Sequence, residues 1–338
     1  MNFSALKIFK KNENILTIII ILMILVMSLI SPSFFSLENT FDILRGATFI
    51  GICSIGFLFV LITNGIDISF TATATVVQFL MASLLLSDKN IPIAVILLGP
   101  IVVGGLLGAL NGVLINWLKV PAIIITIATL NAYYGGIQFI SGGNQLYGFP
   151  KWFTSFPRKL VLKVLNDDGV TIGLSSVTVI WILVCIIGFV ILRYTMLGRK
   201  IYAVGGNTIA ADRQGINVNR TRIFVHAFLG LVAGVAAIIH AMLTQTAAPN
   251  ALIGKEFDVL TAVVLGGASI SGGAGSIRGT VLGVLFVAIL KNGLTVMAVP
   301  TFWHQIFIGL IMVASVATTA TRTRLDKKKA GGVDFEEA

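Results

Sequence analysis

Ile15-Leu-Thr-Ile-Ile-Ile-Ile-Leu-Met-Ile-Leu-Val-Met-Ser-Leu-Ile30 carries no charge along its length and follows the basic residues Lys7, Lys10 and Lys11. A helix needs roughly 20 mostly apolar residues to cross the hydrocarbon of a bilayer, and with its flanks (14–35) this stretch supplies them. A secretory signal peptide also joins a basic head to an apolar run. The run here is longer than the usual signal core and no A-x-A site follows it. It is expected to be an uncleaved first membrane helix.

The rest of the chain has the same character. Of 338 residues 56% are hydrophobic and only 11% charged, whereas an average globular domain is about a quarter charged. So little polar surface cannot cover a soluble protein, and so much apolar surface excludes disorder. The 35 glycines suit helices that pack closely in lipid. The chain reads as an all-α membrane protein of about ten transmembrane helices, at 14–35, 46–64, 68–87, 91–115, 120–140, 173–192, 223–243, 257–270, 279–299 and 301–320. Segment 68–87 opens with Ser69, Thr71, Thr73 and Thr75, and 257–270 is short. Either could be a broken or re-entrant segment lining a cavity.

Basic residues set the orientation. With the N-terminus inside, ten spans return the C-terminus to the cytoplasm. The inner side then holds sixteen of the 24 basic residues and the outer side seven, with Lys291 inside a span. This asymmetry accounts for most of the +10 net charge without a nucleic-acid partner. Residues 1–320 are expected to form one polytopic transmembrane domain, and 321–338 a charged tail expected to be disordered. Residues 141–172 make a long outer loop and 193–222 the main inner one. Gly65-Ile-Asp-Ile-Ser69 is echoed by Gly267-Ala-Ser-Ile-Ser271, and Asn111-Gly112 by Asn292-Gly293 at a different offset. Transporters are often built from such duplicated halves. Cys53 and Cys185 lie in apolar runs and read as small packing residues, neither disulfide nor metal ligands.

No catalytic set and no metal site emerge. His226, His240 and His304 lack ligand spacing, and His226 and His240 share a helical face with Gly230, Ala233 and Ala237, which reads as a packing seam rather than a proton relay. The run Gly266–Gly279 lacks the Lys-Ser/Thr of a nucleotide-binding loop, so no nucleotide hydrolysis is expected and the glycines read as tight turns. Membrane-embedded charges point to function by default, and Asp67, Asp258 and Lys291 are the candidates. Asp67, Thr71, Thr75 and Gln78 share one helical face, although Asp67 or Ser69 could simply cap the helix. In the fifth span Thr126, Thr129 and Tyr133 form one polar stripe and Asn131, Tyr134 and Gln138 another. Such stripes either line a path for a hydroxylated solute or bond neighbouring helices. In the inner loop, 207–214 reads as a short helix capped by Asn207 or Thr208 and stopped by Gly215, a docking element flanked by arginines.

Four stretches carry a family resemblance: Thr63-Asn-Gly-Ile-Asp-Ile-Ser69; Gly108-Ala-Leu-Asn-Gly-Val-Leu-Ile115 with Val120-Pro-Ala-Ile-Ile-Ile-Thr-Ile-Ala-Thr129; Gly198-Arg-Lys-Ile-Tyr-Ala-Val-Gly-Gly-Asn207 with Ala210-Ala-Asp-Arg-Gln-Gly-Ile216; and Val263-Val-Leu-Gly-Gly-Ala-Ser-Ile-Ser-Gly-Gly-Ala-Gly-Ser276. From about residue 15 to 320 the chain resembles the inner-membrane permease subunits of ABC importers of the ribose/xylose/arabinose/autoinducer-2 type. Asn64 stands where that family usually has glycine, and Phe70-Thr71 replaces its usual Val-Gly. The resemblance implies a multi-pass protein of the cell (inner) membrane, paired with an identical or paralogous permease subunit. It also implies two ATPase subunits, which hold the ATP and Mg while this chain holds no cofactor, and an extracytoplasmic sugar-binding protein. It places Asn207, Ala210, Asp212, Arg213 and Gly215 in the element coupled to the ATPase. Gly148-Phe-Pro-Lys-Trp-Phe-Thr-Ser-Phe156 and Asp67-Ile-Ser-Phe70 look most like the autoinducer-2 members. Two rival readings are an ion-coupled secondary transporter using Asp67, Asp258 and Lys291, and a membrane scaffold without transport.

Overall fold

A computed structural model describes residues 3–87, 90–165, 169 and 171–329. The helices α1 (Phe3–Ile30), α2 (Leu37–Gly46), α3 (Thr48–Ile62), α4 (Phe70–Leu85), α5 (Ile93–Leu118) and α6 (Ala122–Ser141) come first. An irregular segment follows, with strand β1 (Leu146–Tyr147), the single turn α7 (Lys151–Thr154), and strands β2 (Leu160–Leu165) and β3 (Thr171–Ser175). Next come α8 (Ser176–Tyr194), α9 (Met196–Gly206), α10 (Thr208–Arg213), α11 (Val218–Thr244), strand β4 (Thr246–Ala247), α12 (Lys255–Leu265), α13 (Ile277–Val296) and α14 (Thr301–Lys329).

Each of the ten expected spans contains a helix, but not every one of these is long enough to cross a membrane by itself. Among the described residues six helices are long and apolar enough to cross a membrane, or seven if α2 and α3, bent by 47°, count as one span. α4 and the apolar part of α14 are shorter, and α12 has only 11 residues, about 16 Å of helix. The two segments read as either spans or broken segments are therefore short helices, each next to an irregular loop. The all-α reading also needs amending. β2 and β3 pair antiparallel within the long loop, and β1 pairs with β4 far along the chain, Leu146 opposite Ala247. α14 continues past residue 320 to Lys329; residues 330–338 of the expected tail lie outside the described residues.

α3 forms the centre. All fifteen of its residues are buried, as expected of a helix apolar on every face. α11 packs along α3, α4 and α5. Its contact with α5 is a glycine seam. A side-chain carbon at Gly108 would lie 2.2 Å from the His226 carbonyl, one at Gly230 2.1 Å from the Gly104 carbonyl, and one at Gly112 2.6 Å from Ile223 Cα. Apolar burial gives little drive for helix association in lipid, so backbone proximity through small residues supplies the contact. The seam read from Gly230, Ala233 and Ala237 is therefore present.

At one end of the bundle β1 and β4 join the connections after α6 and α11. At the other end the loops after α3, α5, α8 and α12 converge. α3 ends in a Schellman cap, with Gly65 N–H donating to Val60 O (3.1 Å) and Asn64 N–H to Leu61 O (3.0 Å). Asn64 occupies the left-handed position (φ 60°), which asparagine tolerates better than most residues. The tight turn thus survives the replacement of the family's glycine. α12 ends the same way, with Ala268 N–H on Val263 O and Gly267 N–H on Val264 O. The internal echo is thereby structural, but the caps equate Asn64 with Gly267, one residue off the sequence alignment.

Candidate functional site: a buried polar track and its clamp

The segment Thr63–Ser69 turns back from the end of α3 into the bundle, which puts Asp67 among helices. Asp67 is 2% exposed, and its Oδ2 lies 2.7 Å from His226 Nδ1. Its Oδ1 accepts from the Ser69 N–H (2.9 Å) and hydroxyl (2.6 Å). Asn111 Nδ2 donates to Ser69 Oγ at 2.7 Å, and Thr126 Oγ1 to Ile66 O at 3.2 Å. A carboxylate this deep is tolerable only when paired and fully hydrogen-bonded. His226 is thus the partner of Asp67, a role the seam reading missed. A cavity of about 120 Å³ opens beside the network, walled by Asn64, Val120, Pro121, Arg222 and His226.

α4 continues the track. Thr71, Thr75 and Gln78 are each at most 1% exposed, on one face as expected. Thr71 Oγ1 donates to Glu256 Oε2 (3.1 Å), Thr75 Oγ1 to Thr71 O (2.9 Å), and Gln78 Nε2 to Thr246 O (3.0 Å) beside His240 Nδ1 (3.2 Å). The α4 face therefore meets Glu256, which the sequence reading did not single out. Asp258 and Lys291 form an ion pair on α12 and α13, away from the track.

The fifth-span stripes divide. Thr126 and Thr129 are buried, and their hydroxyls bond backbone carbonyls, Thr129 Oγ1 reaching Ile125 O at 3.1 Å. Tyr133 OH reaches Leu107 O at 3.4 Å. Tyr134 OH is enclosed beside Thr71 and Thr75. Asn131 and Gln138 are exposed on the outside of α6, so the helix brings its first stripe and Tyr134 to the bundle and leaves those two unpacked.

The inner loop is mostly helical. α9 is capped by Thr195, whose Oγ1 accepts from Gly198 N–H. α10 is capped by Asn207, whose Oδ1 accepts from Ala210 N–H at 2.9 Å. Gly215 leaves α10 with φ 79°. Asp212 and Arg213 are exposed, as are Asn207, Ala210 and Gly215. α9 is wedged against both echo loops. Tyr202 OH donates to Gly275 O at 2.8 Å, and burial pushes its phenol up to about 12, although Arg193 pulls the other way. Gly273 N–H donates to Ile62 O (2.8 Å), and a side-chain carbon at Gly205 would lie 1.6 Å from that same oxygen. Among the described residues no group of three or more His, Cys, Asp or Glu side chains is arranged to hold a metal ion.

Comparison with known proteins gives this architecture a family. The chain is 31% identical over 299 residues to the ribose import permease of Haemophilus influenzae, covering 88% of this chain and 90% of that one. It is 31% identical to the D-allose transport system permease of Escherichia coli, over 88% of this chain and 89% of that one. It is 29% identical to the autoinducer 2 import system permease of an Enterobacter species, over 91% and 87%. No solved structure matches the chain. Residues 39–316 match the family described as branched-chain amino acid transport system/permease component; the chain belongs to that family of ABC-importer permeases, as a multi-pass protein of the inner membrane.

Proposed function

We propose that this chain is the membrane-spanning subunit of an ATP-driven, binding-protein-dependent importer of a sugar-class solute. The observation that carries the reading is the wedge of α9 between the two echo loops. A push on α10 reaches the loop that ends in Asp67 and the loop that opens α13 at the same moment. Chemical work done elsewhere can thus be delivered to the bundle through one short element. The charge asymmetry of the sequence assigns that end to the cytoplasm, together with both termini. There Asn207, Ala210, Asp212, Arg213 and Gly215 form the surface offered to two ATPase subunits. ATP and Mg belong to those subunits, and this chain contributes leverage rather than hydrolysis. Domain closure would tip the pathway between inward- and outward-facing states, a two-state rigid-body change.

The outer face of α6 supports pairing with a second permease subunit. Asn131 and Gln138 face outward on a span whose other exposed residues are apolar; Asn131 Nδ2 donates to Ile127 O (2.8 Å), but lipid offers no partner to the rest of these two amides. A second copy against α6 would cover them and complete the translocation path along Asp67, Thr71, Thr75, Gln78, Thr126, Thr129, Tyr133 and Tyr134. Ribose, allose and autoinducer 2 are the solutes in the relatives' names, and the sugar class is carried over from them. An extracytoplasmic binding protein would deliver the solute to the opposite end. The ion-coupled reading is less well supported, because Asp67 is already matched by His226 and Asp258 by Lys291.

Reconstitution tests the proposal. Proteoliposomes holding the chain with its ATPase and binding-protein partners should accumulate radiolabelled sugar only when ATP is enclosed. Accumulation by the chain alone, driven by a proton or sodium gradient, would refute it.

A further inference from the structure

Three carboxylates are buried along the track and its flank, and they are treated differently. Asp67 faces His226 and Asp258 faces Lys291. Glu256, 6% exposed in the first turn of α12, has no ion-pair partner among the described residues. Its two hydrogen bonds come from Thr71 Oγ1 on Oε2 and Gly254 N–H on Oε1 (3.2 Å). A carboxylate offers about four acceptor directions, so about half of its capacity is unused. A buried charge without a counter-charge is costly, and inside a membrane such a residue points to function.

The groups around it are also under-used. Gln78 Oε1, on a side chain 1% exposed, has no hydrogen-bond partner, and the enclosed Tyr134 OH lies beside Thr71 and Thr75. Spare acceptors on Glu256 and Gln78 thus flank the Tyr134 hydroxyl along one face of α4. Thr71 and Gln78 stand seven residues apart, roughly 10 Å of helix. α4 follows a connection at one end of the bundle and α12 a connection at the other, so a bond between their first turns lies between the two ends. Tyr134 sits on α6, which packs mainly on α4 and α5 and is the helix whose outward displacement would admit a ligand.

We infer that Glu256, Tyr134, Thr71, Thr75 and Gln78 form a solute-selecting station within the pathway, which takes a neutral polyhydroxylated solute. The inference rests on the importer reading and adds a binding site and substrate chemistry to it. Solute hydroxyls donate to the Glu256 carboxylate and Gln78 Oε1, while Tyr134 OH donates to a ring or hydroxyl oxygen. An apolar amino acid fits poorly. Glu256 would meet its ammonium, but its carboxylate would face the acceptors Glu256 and Gln78 Oε1. The family's descriptive name mentions branched-chain amino acids, and the station argues for the sugar chemistry of the relatives instead.

The test uses the full complex in proteoliposomes, with ATP-dependent uptake of D-ribose, D-allose, 2-deoxy-D-ribose and L-leucine measured in parallel. Complexes that elute intact on size exclusion are compared. Wild type should take up a sugar and discriminate against its deoxy analogue. Glu256→Gln should lower sugar uptake about tenfold or more, the scale of a lost hydrogen bond to a charged group, and flatten the discrimination. Glu256→Asp should recover part of both, and Tyr134→Phe should lower uptake less. Sugar uptake and discrimination unchanged in Glu256→Gln would overturn the station and leave the importer reading standing. Uptake of leucine but no sugar would overturn the polyol assignment. Absence of ATP-dependent uptake of every solute would remove the importer reading itself, and the station with it.

Discussion

Replacing Gly205 with alanine puts a single carbon where α9, the end of α3 and the loop before α13 meet. The added carbon would start 1.6 Å from Ile62 O and 2.7 Å from Gly273 N. Real contacts of this kind essentially never fall below 3.0 Å, so α9 must retreat by at least about 1.4 Å or the Gly273 N–H to Ile62 O bond must break. Overpacking of a tight site costs about 1–3 kcal/mol and a lost hydrogen bond about 1 kcal/mol. The variant should therefore lose about 2–4 kcal/mol, mostly at the wedge. Gly206 is the internal control. It is the next residue on the same helix, exposed, and nothing lies within 4 Å of a carbon added there. Gly206→Ala should be neutral or slightly stabilising, since it restricts the unfolded chain. The assay is thermal unfolding in detergent, followed by sugar translocated per ATP hydrolysed in the reconstituted complex. Gly205→Ala should melt several degrees lower and hydrolyse more ATP per solute moved, while Gly206→Ala should match wild type. Equal melting and equal coupling for both would refute the wedge.

Other consequences can be checked on the same preparations. His226→Ala strands the Asp67 carboxylate without its partner and should cost about 3–5 kcal/mol; Asp67→Asn combined with His226→Gln should recover part of that loss in a double-mutant cycle. Asn207→Ala removes the α10 cap at a cost of about 1 kcal/mol, read as faster amide exchange confined to residues 208–213. Arg213→Glu, on an exposed residue, should abolish co-purification of the ATPase while membrane insertion stays normal; unchanged co-purification would take Arg213 off the docking surface. Tyr202 holds its proton more tightly folded, near 12, than at its ordinary value of 10, so its contribution is intact below pH 10 and declines as pH climbs from 10 toward 12. Tyr202→Phe should abolish that alkaline decline.

The sequence made the helices legible because apolar runs announce themselves, and it made the α10 cap legible because Asn207 and Gly215 are local signals. It located the α4 face through simple periodicity. His226 escaped because its helical neighbours are small residues and its partner lies 159 positions away, a separation no periodicity reports. Glu256 escaped because Lys255-Glu256-Phe257-Asp258 reads as a polar helix edge, and only the fold of Thr63–Ser69 carries Thr71 up to meet it. The β2–β3 hairpin left a signal that went unused: Leu160-Val-Leu-Lys-Val-Leu165 precedes Asn166-Asp-Asp-Gly169, an apolar run followed by turn-forming residues. Six or seven of the ten expected spans are long and apolar enough for a full crossing among the described residues, and hydropathy does not distinguish such a helix from a short one that begins inside the protein.

The α5–α11 seam limits how the bundle can rearrange. Gly104, Gly108 and Gly112 repeat every fourth residue, so the next registration that places glycine against glycine is about 6 Å along the axis, and every smaller slide drives a side chain into a carbonyl. The two helices can rock together but cannot shear, which makes them a keel. A transport cycle must then swing its lighter members, α6 at the flank and α9 at the end, about a spine that keeps its own registration throughout.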